Sequence, residues 1–294
     1  MKRKAASASK PTKLSKTYQT TLFPFTGKPA GRGAFTNKSI RICSWNVNGA
    51  RAWVKKQGPL QFISENKFDI LCLNETKIQD KHINKMKSHF KDFPYQYWSC
   101  SKAKLGYSGT AILSKSEPIN WSEGLTGHPK EGRVTLGEFD TFYVLSTYVP
   151  NSGVTRLDYR LNSWDKDLRK YIKDLQKIKP VIWLGDLNVI NLDIDIYRLK
   201  GNDKCAGATI EERSSFWKTL DIGLVDSYRL LYPEVRKYSW FNPKDVNARD
   251  KEEGWRIDMA VISHNLVPRI VDSRIYDNVL GSDHHPIEIV IDNN

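Results

Sequence analysis

The stretch VIWLGDLNV, residues 181–189, decides the reading of the fold. Its first four residues are apolar and rich in β-branched and aromatic types, as in a buried strand. Polar residues follow at once. In an extended chain, residues two apart share a face, so Asp186 and Asn188 are expected to point the same way off the strand end. The same step recurs at Asn46 and Asn48, after the apolar run 40–45. Glu75 closes the run at 70–74, Tyr148 and Asn151 close the run at 142–149, and Asp283 and His284 precede the run at 287–291. Asp and Asn are common turn-formers at strand ends, which accounts for any one of these positions. Five strand ends that all carry a carboxylate, amide, phenol or imidazole call for a shared purpose.

Further strands are read at 110–113 and 257–262. Helices are read at 58–66, 211–220 and 156–178, where Leu157, Leu161, Trp164, Leu168, Tyr171, Ile172 and Leu175 repeat at steps of three and four. Several neighbouring strands are joined by connections too short for a crossover helix. The expected architecture is one α/β domain over residues 40–294, with mixed β-sheets packed face to face and helices outside.

Residues 1–39 differ in texture. They hold nine Lys and Arg and no acid, so a total charge of +13 leaves +4 on the other 255 residues. A polar, aperiodic, basic stretch of this kind is expected to be a disordered tail. The charge fits a polyanionic partner but is mostly tail. Hydrophobic residues at 39%, with 9 Trp and 13 Tyr, supply one sizeable core. No apolar run reaches the ~18 residues of a membrane span, and no apolar signal core opens the chain, so neither membrane nor export is expected. Cys43, Cys72, Cys100 and Cys205 are widely spaced without a CxxC pair, which argues against structural zinc and disulfides.

Carboxylates and amides at strand ends bind a hard divalent cation through oxygen, and Mg²⁺ keeps waters for a substrate. No HxxxH, HExxH, GxxxxGK[ST], GxSxG or GxGxxG motif is present. Mg²⁺-assisted hydrolysis of a phosphate ester is the chemistry that remains.

The motifs at 44–52 (SWNVNGARA), 73–77 (LNETK), 107–109 (YSG), 148–151 (YVPN), 185–189 (GDLNV), 254–258 (GWRID) and 281–286 (GSDHHP) match a family in order and spacing. The chain resembles an AP endonuclease of the exonuclease III type, within the DNase I-like endonuclease/exonuclease/phosphatase superfamily. The match covers 40–291. The resemblance implies a four-layered sandwich of two mixed sheets flanked by helices. It also implies hydrolysis of the phosphodiester 5′ to an abasic site in base excision repair, with accompanying 3′-exonuclease or 3′-phosphodiesterase activity. It makes Asn46, Glu75 and Asp283 the Mg²⁺ cluster (Mn²⁺ substituting), with Glu75 the principal ligand. Asp186 would orient or deprotonate the attacking water, with Asn188 beside it. His284 paired with Asp258 would stabilise the phosphoryl group, and Tyr148 and Asn151 would bind it. Trp255 and Ile257, joined by Trp240, would wall a pocket for a sugar without its base. Arg51, Lys56 and Tyr107 would contact the backbone of the duplex. A monomer is expected.

Two departures qualify the match. Asn48 stands where some members carry Asp, and the segments 151–156 and 243–246 differ from the animal-type loops that insert into the DNA stack. Two other readings compete. A small-substrate phosphatase on this scaffold needs a basic pocket, whereas GWRID brings an aromatic and an aliphatic residue. A non-catalytic DNA-binding relative requires that ligands be lost, whereas Glu75, Asp186, Asp258, Asp283 and His284 are all present.

In the tail, Gln19-Thr20-Thr21-Leu22-Phe23-Pro24-Phe25 resembles the peptide by which replication and repair proteins bind the sliding clamp PCNA. One 3₁₀ turn would bring Leu22 and Phe25 to one side, with Gln19 beside them. With the Lys2-Arg3-Lys4 start this points to the nucleus; an acid-free N-terminus also permits a mitochondrial address.

Overall fold

The computed structural model describes residues 39–293; the basic tail and the motif at 19–25 lie outside them. Two six-stranded mixed sheets pack face to face. The strands are β1 (Ser39–Asn46), β2 (Ile70–Asn74), β3 (Tyr95–Ser99), β4 (Thr110–Ser114), β5 (Asn120–Glu123), β6 (Val134–Glu138), β7 (Tyr143–Tyr148), β8 (Val181–Asp186), β9 (Leu224–Asp226), β10 (Trp240–Phe241), β11 (Gly254–Trp255), β12 (Asp258–Ser263), β13 (Ile270–Ile275) and β14 (Ile287–Asp292). One sheet runs β13-β14-β1-β2-β4-β3, the other β5-β6-β7-β8-β12-β9, and β10 and β11 form a separate ribbon. Among the described residues, only the pairs β1–β2 and β7–β8 are parallel.

The period of two along each strand sorts the core. Ile42, Ile70, Cys72, Val144, Ile182, Leu184, Ala260 and Ile262 fill the layer between the sheets. The alternate residues face the helices: Trp183 and Val181 meet Trp164, Leu168 and Phe216, while Trp45 and Leu73 meet Trp53 and Phe62. The expected helix at 58–66 is found at Gln57–Asn66, and that at 211–220 at Ile210–Leu220, its N-terminus capped by Thr209, which accepts from Glu212 N–H.

The expected helix at 156–178 is helical from Leu157 to Gln176 but not uniformly α. Residues Arg160–Trp164 form a π-turn between Leu157–Tyr159 and Asp165–Gln176. Arg160 lies in that turn, buried, with its guanidinium on the carbonyls of Pro150 (2.8 Å) and Leu187 (2.9 Å) and the carboxylate of Asp165 (2.7 Å). It thereby ties the loop after β7 to the loop after β8.

Candidate active site

The site is the polar end of the inter-sheet layer. Following the inward-facing rows, Ile42 and Ser44 lead to Asn46, Val144 and Ser146 to Tyr148, Ile182 and Leu184 to Asp186, and Ile262 and Ala260 to Asp258. Register places Tyr148 beside Asp186 and Asp186 beside Asp258. Gly185 makes this possible. At φ +143 its backbone runs so close to β7 that a Cβ would sit 1.9 Å from the Thr147 carbonyl oxygen.

One sequence expectation is corrected. Asn188 and Asn48 do not continue their strands with side chains in step with Asp186 and Asn46. Both adopt left-handed backbone, at φ +48 and +45. The side chain two residues earlier accepts the backbone N–H in each case: Asn188 N donates to Asp186 Oδ1 and Asn48 N to Asn46 Oδ1, both at 3.0 Å. The side-chain hydrogen bond makes the turn, and the turn still brings both Asn residues to the cavity.

That cavity has a volume of about 610 Å³. Asn46, Asn48, Glu75, Tyr148, Asn151, Asp186, Asn188, Asp283 and His284 line one part of it, and Trp240, Trp255 and Ile257 another. Asn46 Nδ2 donates to Asp186 Oδ2 (3.0 Å), bridging the sheets. Asn151 Nδ2 donates to Asn188 Oδ1 (3.0 Å). The Tyr148 hydroxyl donates to Glu75, whose other oxygen faces Lys77 Nζ at 3.3 Å. Asp283 accepts from Asn48 Nδ2 (2.9 Å) and Trp240 Nε1 (3.2 Å). Asp258 sits behind the cavity wall, where its Oδ2 is 2.8 Å from His284 Nδ1 and accepts from Ser239 Oγ at 2.7 Å.

Burial and charge set the protonation states. Burial alone would lower His284, but Asp258, with Asp186 and Asp283 beyond it, raises it to about 10, so the ring is an imidazolium near neutral pH. Burial raises Asp186 to about 7, helped by Asp258 and Glu75 and opposed by His284. Burial and the Glu75 and Asp186 charges push the Tyr148 phenol well up, keeping it a donor. Asp283 is held below the usual carboxylate range: burial opposes this, and the His284 charge with the Asn48 and Trp240 bonds outweighs it.

Among the described residues, Asp186, Asp258 and His284 bring their ligand atoms within 4.8 Å of one another. That triad is a poor cation site, because a protonated imidazole has no lone pair to offer. The carboxylates of Glu75 and Asp283 and the amide oxygen of Asn46 are hard oxygen donors of the kind that suits a divalent ion.

The candidate backbone contacts lie around the rim. Arg51 is exposed in a neighbouring groove of about 880 Å³ that shares Lys77 with the cavity. Lys56 donates to the Gly281 carbonyl (2.6 Å) beside Asp283. Tyr107 is half-buried and accepts from Arg133 (2.8 Å). Sequence reasoning missed Ser239, Lys77 and Arg133. Lys77 stood within a quoted motif; Ser239 and Arg133 carried no spacing that could have singled them out.

Known proteins give a consistent comparison. Residues 43–284 match the model of the endonuclease/exonuclease/phosphatase family. The chain is 44% identical to the DNA repair nuclease APEX1 of Danio rerio, over 86% of this chain and 82% of the relative. It is 42% identical to the exodeoxyribonuclease of Bacillus subtilis, over 86% and 99%. Among solved structures, the AP endonuclease LMAP of Leishmania major superposes with a TM-score of 0.78 at 31% identity, covering 88% of this chain and 90% of that one.

Proposed function

This chain belongs to the endonuclease/exonuclease/phosphatase family, in its AP endonuclease branch of the exonuclease III type, and we propose that it hydrolyses, with Mg²⁺, the phosphodiester 5′ to an abasic site in duplex DNA. The observation that carries the proposal is the joining of two surfaces in one cavity. An acid–base and cation-binding cluster borders an apolar wall of Trp255 and Ile257, with Trp240 edge-on to Trp255 at 5.9 Å. A bare deoxyribose fits such a wall; a nucleotide with its base brings polar edges that find no partner there.

Glu75, Asp283 and Asn46 would hold the Mg²⁺, with Mn²⁺ able to substitute. The ion, when bound, supplies positive charge to the phosphoryl oxygens. The protein's own groups account for the rest. Asp186, poised near neutrality, accepts a proton from the attacking water, and Asn188 holds that water in line. Oxygen–phosphorus bond formation places negative charge on the equatorial oxygens as the bond to the leaving oxygen breaks. The imidazolium of His284, whose Nε2 lies 3.9 Å from Asp186 Oδ2, stabilises that charge, and so do the donors Tyr148 and Asn151. Asp258 holds the His284 ring in place and keeps it charged, with Ser239 fixing Asp258 in turn. Arg51, Lys56 and Tyr107 would take the flanking backbone.

The deciding experiment is cleavage of a labelled duplex with one abasic analogue, in Mg²⁺ and in EDTA. We expect one cut, 5′ to the lesion, that is lost in EDTA. An uncut duplex, or a cut unaffected by the chelator, would refute the assignment. The motif at Gln19, Leu22 and Phe25 would tether the enzyme to the sliding clamp PCNA, with the nucleus as the compartment and the mitochondrion as the second address.

A further inference from the structure

Arg133 immediately precedes β6 and is 4% exposed, yet it does not line the cavity. Each edge of its guanidinium has a partner. Nε pairs with Glu131 Oε2 (2.5 Å), Nη1 donates to the Tyr148 carbonyl (3.1 Å), and Nη2 donates to the Tyr107 hydroxyl (2.8 Å). Its face lies 4.7 Å from the ring centre of Tyr148 and 5.3 Å from that of Tyr107. The backbone closes the arrangement, with Tyr148 N donating to the Arg133 carbonyl at 2.9 Å. Tyr148 in turn donates to Glu75. One unbroken series of contacts therefore runs from the rim residue Tyr107 to the carboxylate at the centre of the site.

We infer that Arg133 is a positioning residue for the reaction: it fixes the Tyr148 ring, and through it Glu75, and couples that placement to Tyr107 at the rim. The inference rests on the nuclease reading above. An ion pair that served only the fold would be satisfied by Glu131. A planar fork that also serves two tyrosines along its edges and faces is a role that lysine, a point charge on a flexible stem, cannot fill.

The test is a double-mutant cycle on single-turnover cleavage of the abasic-analogue duplex, with Tm and DNA affinity measured alongside. Arg133→Lys should slow cleavage roughly 10-fold while DNA affinity moves less than about 3-fold. In a Tyr148→Phe background the same change should cost less than about 3-fold, because the group it positions is already gone. Glu131→Gln, a partly exposed position that keeps its shape, repeats the cycle should Arg133→Lys fail to fold. We expect a loss of several-fold that also vanishes with Tyr148→Phe. Equal fractional losses in both backgrounds, or a loss that follows Tm alone, would overturn the positioning role. Failure of the wild-type enzyme to cut would instead refute the nuclease reading, and the wild-type reaction alone reveals it.

Discussion

Replacing Asp258 with Asn keeps the shape of the group behind His284 and removes its charge. Two unit charges at the observed 2.8 Å attract by about 6 kcal/mol at an effective dielectric of about 20. Burial of the ring works against that attraction, and the net outcome is a pKa up to about 10. Without the carboxylate, burial is opposed only by the more distant acids, and the ring should lose its proton below neutrality. The sign follows directly: an imidazole raised in the fold is charged below its pKa and neutral above it. Single-turnover cleavage by the wild type should therefore hold up to about pH 10 on the alkaline side. Asp258→Asn should be slower by roughly 10²–10⁴-fold at pH 8, the range for losing a positioned charge-stabilising group. The ratio of mutant to wild-type rates should recover on moving to pH 5.5, where His284 is protonated in both. Acid protonation of Asp186 slows both enzymes, and because Asp258 itself raises Asp186, the acid limb is fitted separately for each enzyme before the ratio is read for His284. A deficit that is the same at every pH, or one under 10-fold at pH 8, would refute the reasoning.

Four other outcomes are expected. Glu75→Ala should cut far more slowly than wild type at limiting Mg²⁺ and recover in part when Mg²⁺ is raised; full activity at limiting Mg²⁺ would remove Glu75 from the ion. Trp255→Ala should narrow the preference for abasic over intact duplex, measured as a ratio of kcat/KM, and an unchanged ratio would return this side chain to a packing role. His285, adjacent to the site, is held neutral: its Nδ1–H donates to the Val279 carbonyl (3.0 Å), and burial and Arg249 lower it to about 4. At this site the unfolded chain therefore binds more protons between about pH 4 and 6.5, so the stability of the wild type relative to His285→Gln, measured in urea, should climb with pH across that window by at most ~3 kcal/mol; a difference that does not change with pH would refute it. The peptide 15–30 should bind the sliding clamp saturably and lose binding with Leu22→Ala/Phe25→Ala; equal binding by the double variant would dismiss the tether.

What could be read from the chain depended on how locally each feature is encoded. Strands with strongly apolar runs, such as β8, and β14 with only Glu288 breaking its first five residues, announce themselves because both of their faces are buried. Of the strands the sequence reading lacks, β6 is apolar enough to have been read, whereas two others have diluted patterns. β5 is an edge strand of Asn, Trp, Ser and Glu, and β13 carries Asp272 and Arg274 and a register shift between Ile270 and Asp272. β10 and β11 are two residues each, held by their position beside the site more than by any propensity. The helical period over 157–176 was legible and the π-turn within it was not. The extra residue there is accommodated by Arg160 reaching carbonyls that come from other parts of the chain. The oxygen-bearing strand ends were visible because each lies at or within a few residues of the end of an apolar run. The turn geometry at Asn48 and Asn188 was not, since a side chain that captures its own backbone two residues on leaves the strand early.

Buried charge is the part of the site that no local pattern discloses, and GWRID shows why. Arg256 stands between Trp255 and Ile257, in a motif next to a cavity proposed to receive DNA, where a basic residue reads naturally as a phosphate contact. The structure turns it the other way. Trp255 and Ile257 line the cavity, while Arg256 is fully buried behind them, pairing with Asp195 (2.7 Å) and Asp226 (2.5 Å). Those partners lie 61 and 30 residues earlier in the chain. Asp195 also meets Arg229, so two arginines and two aspartates neutralise one another in a dry layer. Such a cluster adds little net stability, since desolvation offsets most of the attraction, but breaking one member strands the others. Its effect here is geometric. The guanidinium anchors the middle of a three-residue segment whose outer two side chains must stand in the cavity, and it withdraws from that wall the positive charge that a multiply phosphorylated small substrate would require. The same residue that makes the motif look basic therefore keeps the pocket apolar, and this is the physical reason for preferring a bare sugar over a phosphorylated headgroup as its occupant.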